Sequence, residues 1–312
     1  GTEIEVDAIC DGENILIPGI MEHIERTGIH SGDSITVYPP ITLSQEVIDK
    51  LVESTTKIAK GLNIIGLVNI QYVFDGKDIY VIEVNPRASR TVPILSKITG
   101  VPMVKLALNA MLGKKLTESE YGTGTLPYKN FYAVKVPVFS TEKLSDVDTF
   151  LGPEMKSTGE VLGLDTDLDM ALLKGFVGAG IKIPTDGTVY VSLRNVDKAE
   201  GIEVVKSYVG KGFNIVASEG TGEVLKENGI DSKVVDFNGF MKSMSKGEID
   251  VIINTPTQGN NNSKEGFKIR RKAAEFRVPV FTSIDTATAF IKAIDATSKE
   301  MKYNTMKDYL SL

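Results

Sequence analysis

The chain has 312 residues, 42% of them hydrophobic and 24% charged, an ordinary globular balance in a chain long enough for two domains. Its net charge of −6 argues against a general nucleic-acid binder, which needs a basic surface, and leaves room for a local basic pocket. A lone Cys10 excludes an internal disulfide or a paired-cysteine metal site, and two histidines, His23 and His30, exclude a histidine-rich one. No apolar run approaches the roughly 18 residues of a membrane span, so the expectation is a cytoplasmic protein with no membrane partner.

A strand pattern begins immediately after Gly1, with neither an initiator methionine nor a leader. The chain is therefore expected to be part of a longer protein, with Gly1 an added residue. Residues 3–9 alternate polar and apolar, as a half-buried strand does. Asp11-Gly12-Glu13-Asn14 then turns the chain into a second run, Ile15-Leu16-Ile17, which predicts a hairpin. Past the polar stretch at 30–34, Ser44 caps a helix through Ala59, with Val47, Ile48, Leu51 and Ile58 at helical spacing and Gly61 beyond its end. Residues 67–74 and 79–84 surround the turn Asp75-Gly76-Lys77-Asp78 and form the clearest hairpin of the chain. Helices are expected at about 93–100 and 102–111. A less regular region to about Pro184 holds a strand near 132–138 and a helix near 168–177.

From Gly187 the pattern becomes a strict alternation. Strands are predicted at 189–193, 213–217, 232–235, 250–254 and 280–282. Helices lie between them, around 197–209, 221–228, 240–246 and 264–275, and a last one covers 287–296. Such βα alternation implies a parallel sheet covered on both faces. The Pro-Thr-Asp-Gly stretch at 184–187 marks the linker, giving an α/β protein with an α+β part at 1–184 and a Rossmann-type part at 185–312.

Ile82-Glu83-Val84-Asn85-Pro86-Arg87 places unusual polar residues at the end of an apolar strand. Residues two apart share a strand face, so Glu83 and Asn85 point together. Gln71 on the partner strand lies opposite within about one residue of register, and Pro86 ends the ladder. One carboxylate and two amide oxygens make a hard oxygen set suited to Mg²⁺ shared with phosphates. Arg87 and Arg90 can neutralise an anion being phosphorylated. The same spacing also fits a hairpin with a merely solvated polar face.

Together with Ile20-Met21-Glu22-His23-Ile24-Glu25, Gly28-Ile29-His30-Ser31-Gly32-Asp33-Ser34, the run from Asn85 to Pro93 and Leu151-Gly152-Pro153-Glu154-Met155-Lys156-Ser157-Thr158-Gly159-Glu160, this hairpin resembles the carbamoyl-phosphate-forming half of the carbamoyl phosphate synthase large subunit. The resemblance covers essentially the whole chain. It implies the C-terminal part of an ATP-grasp domain, with Gln71, Glu83 and Asn85 as ligands of Mg²⁺ or Mn²⁺ and K⁺ as a further candidate ion. Arg87 and Arg90 would stand beside carbamate and the transferring phosphoryl group. Glu3 would contact the nucleotide, and Gly28, Ile29, His30, Ser31, Gln71 and Glu83 would line the ATP site. The region that grips adenine and phosphates is expected before residue 1, so this chain alone should not make carbamoyl phosphate. The parent would take ATP, bicarbonate and ammonia, the ammonia coming from a glutaminase small subunit.

In the second part, Ser218-Glu219-Gly220-Thr221-Gly222 opens a helix after a strand, where backbone N–H groups favour phosphate. A simple capped helix fits the same residues. Asn254 closes another strand on the edge where open α/β sheets bind ligands. This part resembles the methylglyoxal-synthase-like regulatory domain of the same family. The resemblance implies a UMP- or IMP-type effector held by Lys198, Ser218, Thr221 and Asn254. The stretch 235–240 departs from the basic segment usual there. Glu25 and Asp33 match two ornithine contacts, while Val136 replaces an acidic third. Methylglyoxal synthase itself is a rival reading, but Thr255-Pro256-Thr257-Gln258-Gly259-Asn260 lacks that enzyme's aspartate-bearing segment. Another ATP-grasp carboxylate ligase and a non-enzymatic nucleotide sensor are the remaining alternatives.

Overall fold

The computed structural model describes residues 1–140, 148–256 and 265–312. Its contacts divide the chain into two units, one of Gly1–Val136, Leu162–Ala171 and Met301–Leu312, the other of Pro137–Val161 and Leu172–Glu300. Residues 257–260 of the loop compared above with methylglyoxal synthase lie outside the described residues.

In the first unit, β1 (Thr2–Asp11) pairs antiparallel with β2 (Ile15–Arg26), which reaches β3 (Thr36–Tyr38). Helix α1 (Gln45–Gly61) leads to the hairpin β4 (Ile65–Phe74) and β5 (Ile79–Asn85), followed by α2 (Thr91–Thr99) and α3 (Met103–Met111). The short β6 (Gly124–Thr125), then β7 (Tyr132–Val138) and β8 (Gly159–Asp165), complete a sheet ordered β5-β4-β1-β2-β3-β7-β8, with β6 beside β2.

Alternation along β1 decides which face is which. Ile4, Val6 and Ala8 pack with Ile20, Val68, Ile70 and Tyr72 against Val47, Ile48 and Leu51 of α1. On the opposite face Ile9 joins Leu16, Met21 and the apolar sides of α2 and α3. The residues before Ile9 on that face are Asp7, Glu5 and Glu3, so it passes from hydrocarbon to carboxylate within one strand. Tyr309 closes the apolar end. Its hydroxyl donates to the Leu164 carbonyl at 2.7 Å, and its ring lies 5.3 Å from that of Phe131.

The second unit contains α4 residues from Leu172 onward (α4 spans Leu168–Gly178), then β9 (Thr188–Ser192), α5 (Lys198–Gly210), β10 (Asn214–Ala217), α6 (Glu219–Glu227), β11 (Lys233–Val234), α7 (Phe237–Ser245), β12 (Val251–Asn254), α8 (Glu265–Phe276), β13 (Val280–Phe281) and α9 (Ile284–Ala296). Strands β9 to β13 are all parallel, in the order β11-β10-β9-β12-β13. Tyr190, Val216 and Ile252 pack on one face against Phe240, Met244, Ile269 and Ala273 of α7 and α8. Phe176, Phe281 and Phe290 form an aromatic cluster with centroids 4.6 to 6.4 Å apart. The strand order reverses at β9, which opens a crevice at the carboxyl ends of the strands.

The expected α/β class, with an antiparallel first sheet and a parallel second one, is what the fold shows. Several details differ. The short run expected at 15–17 is a twelve-residue strand, because a bulge opposite Asp7 and Ile9 accommodates Pro18, whose missing N–H would otherwise break the ladder. Helix α2 begins at Thr91 rather than Pro93, since proline is tolerated in a first helical turn. Helix α7 starts at Phe237, where the Asp236 carboxylate accepts from the Gly239 N–H at 2.7 Å. Strands β3, β6 and β8 were not predicted.

Candidate functional site

The hairpin register places the polar residues in two rows. Glu5, Gln71 and Glu83 lie side by side across β1, β4 and β5, and Asp7, Asn69 and Asn85 form the next row. Gln71, Glu83 and Asn85 therefore share one sheet face, and a register shift just after Gln71 keeps Gln71 opposite Glu83. The Asn85 amide donates to Glu83 Oε1 at 2.7 Å. The Gln71 amide donates to Ser31 Oγ at 2.9 Å, fixing the loop after β2 against the hairpin. In both side chains the amide nitrogen is engaged, so the amide oxygen is the atom available to a cation. Glu83 is exposed, so this end of the face is open to solvent.

Beneath that opening the face is closed and heavily hydrogen-bonded. Glu3, Glu5 and Asp7 are 4%, 4% and 1% exposed. The Asn69 amide donates to Glu5 Oε1 at 2.8 Å and to Asp7 Oδ1 at 3.2 Å. The Thr91 hydroxyl donates to Asp7 Oδ2, tying β1 to the start of α2 directly after Arg90. Buried Lys135 donates from Nζ to the Ser31 carbonyl at 2.8 Å. Burial raises the Asp7 carboxyl to about 7, helped by the neighbouring Glu5 charge and opposed by its hydrogen bonds from Thr91, Ser89 and Asn69. At Glu5 burial pushes the same way, but His23, Lys135 and Asn69 together hold the carboxyl below its ordinary value. His23 Nε2 lies 3.9 Å from Glu5 Oε2. Glu3 is raised, first by burial, with His23 opposing and Glu5 and Glu83 adding to the rise.

The remaining sequence-predicted residues surround this face unevenly. Gly28 has φ +117 in the turn after β2, a left-handed conformation that favours glycine. Ile29 and His30 are half-buried, and His30 Nδ1 accepts from the Gly32 N–H at 3.0 Å, starting the single 3₁₀ turn Ser31–Asp33. Arg87 is exposed, with Nη1 donating to the Ala88 carbonyl at 3.0 Å, and Arg90 stands at the N-cap of α2. Glu25 and Asp33 are 1% and 0% exposed, and Glu25 accepts from the Ile35 N–H at 2.8 Å. Val136 is 1% exposed.

Among the described residues no group of three or more His, Cys, Asp or Glu side chains could hold a metal alone. Gln71, Glu83 and Asn85 supply one carboxylate and two amide oxygens. That set fits a hard cation completing its shell with phosphate oxygens and water.

In the second unit a cavity of about 410 Å³ opens at the carboxyl ends of the parallel strands. Ser218 and Asn254 line it, with Arg194, Gly220, Asp236 and Arg270. Lys198 reaches its rim, with Nζ 3.7 Å from where a Cβ on Gly220 would lie. Thr221 does not face the cavity. It is 2% exposed, and its hydroxyl oxygen accepts from the Leu193 N–H at 2.9 Å and from Ser218 Oγ at 3.1 Å.

Reading the sequence missed Glu5, Asp7, Asn69 and Lys135. The acidic residues at 3, 5 and 7 carry a period-two signal, and Lys135 interrupts an apolar strand, so both could have been found. Asp148 and Arg270, which pair in the cavity of the second unit, are 122 positions apart and give no local signal.

Residues 2–119 match the family described as carbamoyl-phosphate synthase L chain, ATP binding domain, and residues 200–282 match the MGS-like domain. A carbamoyl phosphate synthase large chain from Clostridium acetobutylicum is 59% identical over 99% of this chain, which spans 29% of that relative's length. Among solved structures, the biotin carboxylase domain of a single-chain bacterial carboxylase overlaps 55% of this chain and 45% of its own, with 20% identity and a TM-score of 0.44. A biotin carboxylase complex from Campylobacter jejuni overlaps 48% and 32%, with 21% identity and a TM-score of 0.38. At these scores neither bears on the chemistry. Over nearly its whole length the chain is thus related to part of a carbamoyl phosphate synthase large chain, with residues 2–119 similar to its L chain ATP binding domain and residues 200–282 similar to the MGS-like domain.

Proposed function

We propose that the first unit is the metal and acceptor side of an ATP-dependent site that phosphorylates carbamate, and that the second unit is its nucleotide-responsive regulator. In domain terms, 1–184 would be ATP-grasp sequence and 185–312 the regulatory domain. The observation that carries this reading is the Gln71–Glu83 register with Asn85 on the same face, open to solvent at Glu83 and followed at once by Arg87 and Arg90. A bound Mg²⁺ or Mn²⁺ would offset charge on the phosphates. In the transfer a carbamate oxygen forms a bond to the γ-phosphorus as the bond to the β-phosphate oxygen breaks and ADP leaves. Arg87 and Arg90 would balance the negative charge on acceptor and phosphoryl oxygens. Glu3, Ser31 and His30 would contact the nucleotide, Ser31 being positioned by Gln71 and Lys135.

The parent large chain would be cytoplasmic and would receive ammonia from a glutaminase subunit. This chain by itself would make no carbamoyl phosphate, and ATP- and carbamate-dependent turnover by it alone would overturn that part. The site is tested in the longer large chain by running transfer backwards, from carbamoyl phosphate and ADP to ATP. Glu83→Gln should lower that rate by about 100-fold or more, the scale for losing one charged group at a phosphoryl centre. A rate unchanged in a variant that is folded by circular dichroism would end the assignment.

A further inference from the structure

The cavity of the second unit is lined in part by a buried ion pair, Arg270 with Asp148. Arg270 on α8 is 5% exposed, and its guanidinium is engaged on both sides. Nε donates to Asp148 Oδ1 at 2.7 Å and Nη2 to Asp148 Oδ2 at 2.5 Å, a two-pronged contact, while Nη1 donates to Asn254 Oδ1 at 2.7 Å. Asp148, Asn254 and Arg270 all line the cavity, with Ser218 and Gly220 at the start of α6. The two acceptors on Arg270 come from different places. Asn254 ends β12, in the middle of the sheet, whereas Asp148 lies in the chain before the βα alternation begins.

We propose that the Asp148 carboxylate occupies the anion seat of Arg270, and that a phosphate ester entering the cavity binds by displacing it. This rests on the reading of the second unit as a nucleoside monophosphate site and adds the residue that sets its affinity. A guanidinium this buried needs an anion beside it, and a carboxylate and a phosphate present two oxygens to the fork in the same way. The balance of charge supports an exchange over simple addition. The other lining arginine, Arg194, is held by Asp197 at 2.5 and 3.1 Å. Glu219, Asp236 and Glu265 also line the cavity. With Asp148 in place the lining is acidic, and a phosphate bearing nearly two charges would be repelled. With Asp148 withdrawn, one negative charge leaves the lining and the Arg270 fork is open, with the α6 N-terminus and Lys198 at the rim also favouring an anion. Asn254 keeps Arg270 oriented through the exchange. Ligand occupancy is thereby coupled to release of the segment after residue 148, where Lys156 Nζ donates to the Asp148 carbonyl at 3.1 Å.

Calorimetric titration of UMP and IMP into the intact chain and its Asp148→Asn variant tests this. The variant keeps the side-chain size and removes the competing charge. At least one nucleotide should bind it about tenfold or more tighter than wild type, the worth of one charge-assisted contact. Equal or weaker binding by the variant overturns the displacement and leaves the nucleotide reading intact. No binding to either protein at millimolar ligand overturns both. Because the substitution also removes a buried ion pair, hydrogen exchange on the wild type provides a second measurement. Wherever nucleotide binds, saturation should lower protection of the amides at 150–156. Unchanged or greater protection there refutes displacement.

Discussion

Replacing Asp7 with asparagine isolates the electrostatic cost of the polar face. The carboxyl is 1% exposed, two residues along the same strand from Glu5, and is held by Asn69 and Thr91. Burial, with the Glu5 charge, raises it from an ordinary 3.8 to about 7. A carboxyl raised on folding contributes stability that is complete below about 3.8 and is lost progressively as pH rises from there through about 7. With folded and unfolded values of about 7 and 3.8, the linkage integral between about pH 5.5 and about pH 8.5 is about 2 kcal/mol lost. Asparagine cannot ionise, so Asp7→Asn should lack this loss. Urea unfolding read from the methyl signals of Ile4, Val6 and Val68 would report on the first unit separately. The wild type should weaken over this interval by about 2 kcal/mol more than the variant. Parallel pH profiles for the two proteins would refute the argument, because they would mean that Asp7 ionises at its ordinary value in the fold.

The opposite sign is expected at Asp11. Its carboxylate accepts from the N–H groups of Glu13, Asn14 and Leu116 at 2.9, 2.7 and 2.7 Å. Burial opposes ionisation there, but these bonds outweigh it and lower the carboxyl to about 2. Its stabilisation is complete above 3.8 and is lost as pH falls through about 2, and Asp11→Ala should cost about 3 kcal/mol at neutral pH by urea unfolding. Tyr72→Phe should cost about 1 kcal/mol in the same assay by leaving Thr55 Oγ1 without its buried partner at 2.8 Å, and a neutral result would show that the pair contributes nothing net.

Much of the fold was legible because its signals are local. The Ser44 cap predicts α1, and the Ser44 hydroxyl accepts from the Val47 N–H at 3.4 Å. The runs around Asp75-Gly76 predict the β4–β5 hairpin, and the βα alternation after Gly187 predicts the parallel sheet. What was hidden depends on partners distant along the chain. Strand β3 has three residues and exists because β2 and β7 flank it. The last residues join the first unit through Tyr309, which finds Leu164 and Phe131 far back along the chain. Thr221 shows the same dependence at a site, since its hydroxyl oxygen accepts from the Leu193 N–H, a partner 28 positions away that no local pattern announces.

By itself the sequence determined strand and helix identity, the alternation that separates faces, and the carboxylate–amide motif at the end of β5, because periodicity and turn chemistry act over a few residues. Only the tertiary structure decided that Gln71 stands opposite Glu83, that three acids of β1 are buried beneath that pair, and that Asp148 reaches Arg270. Register and charge pairing depend on which strands and helices become neighbours, and a buried carboxylate has its properties set by neighbours brought together only when the chain folds.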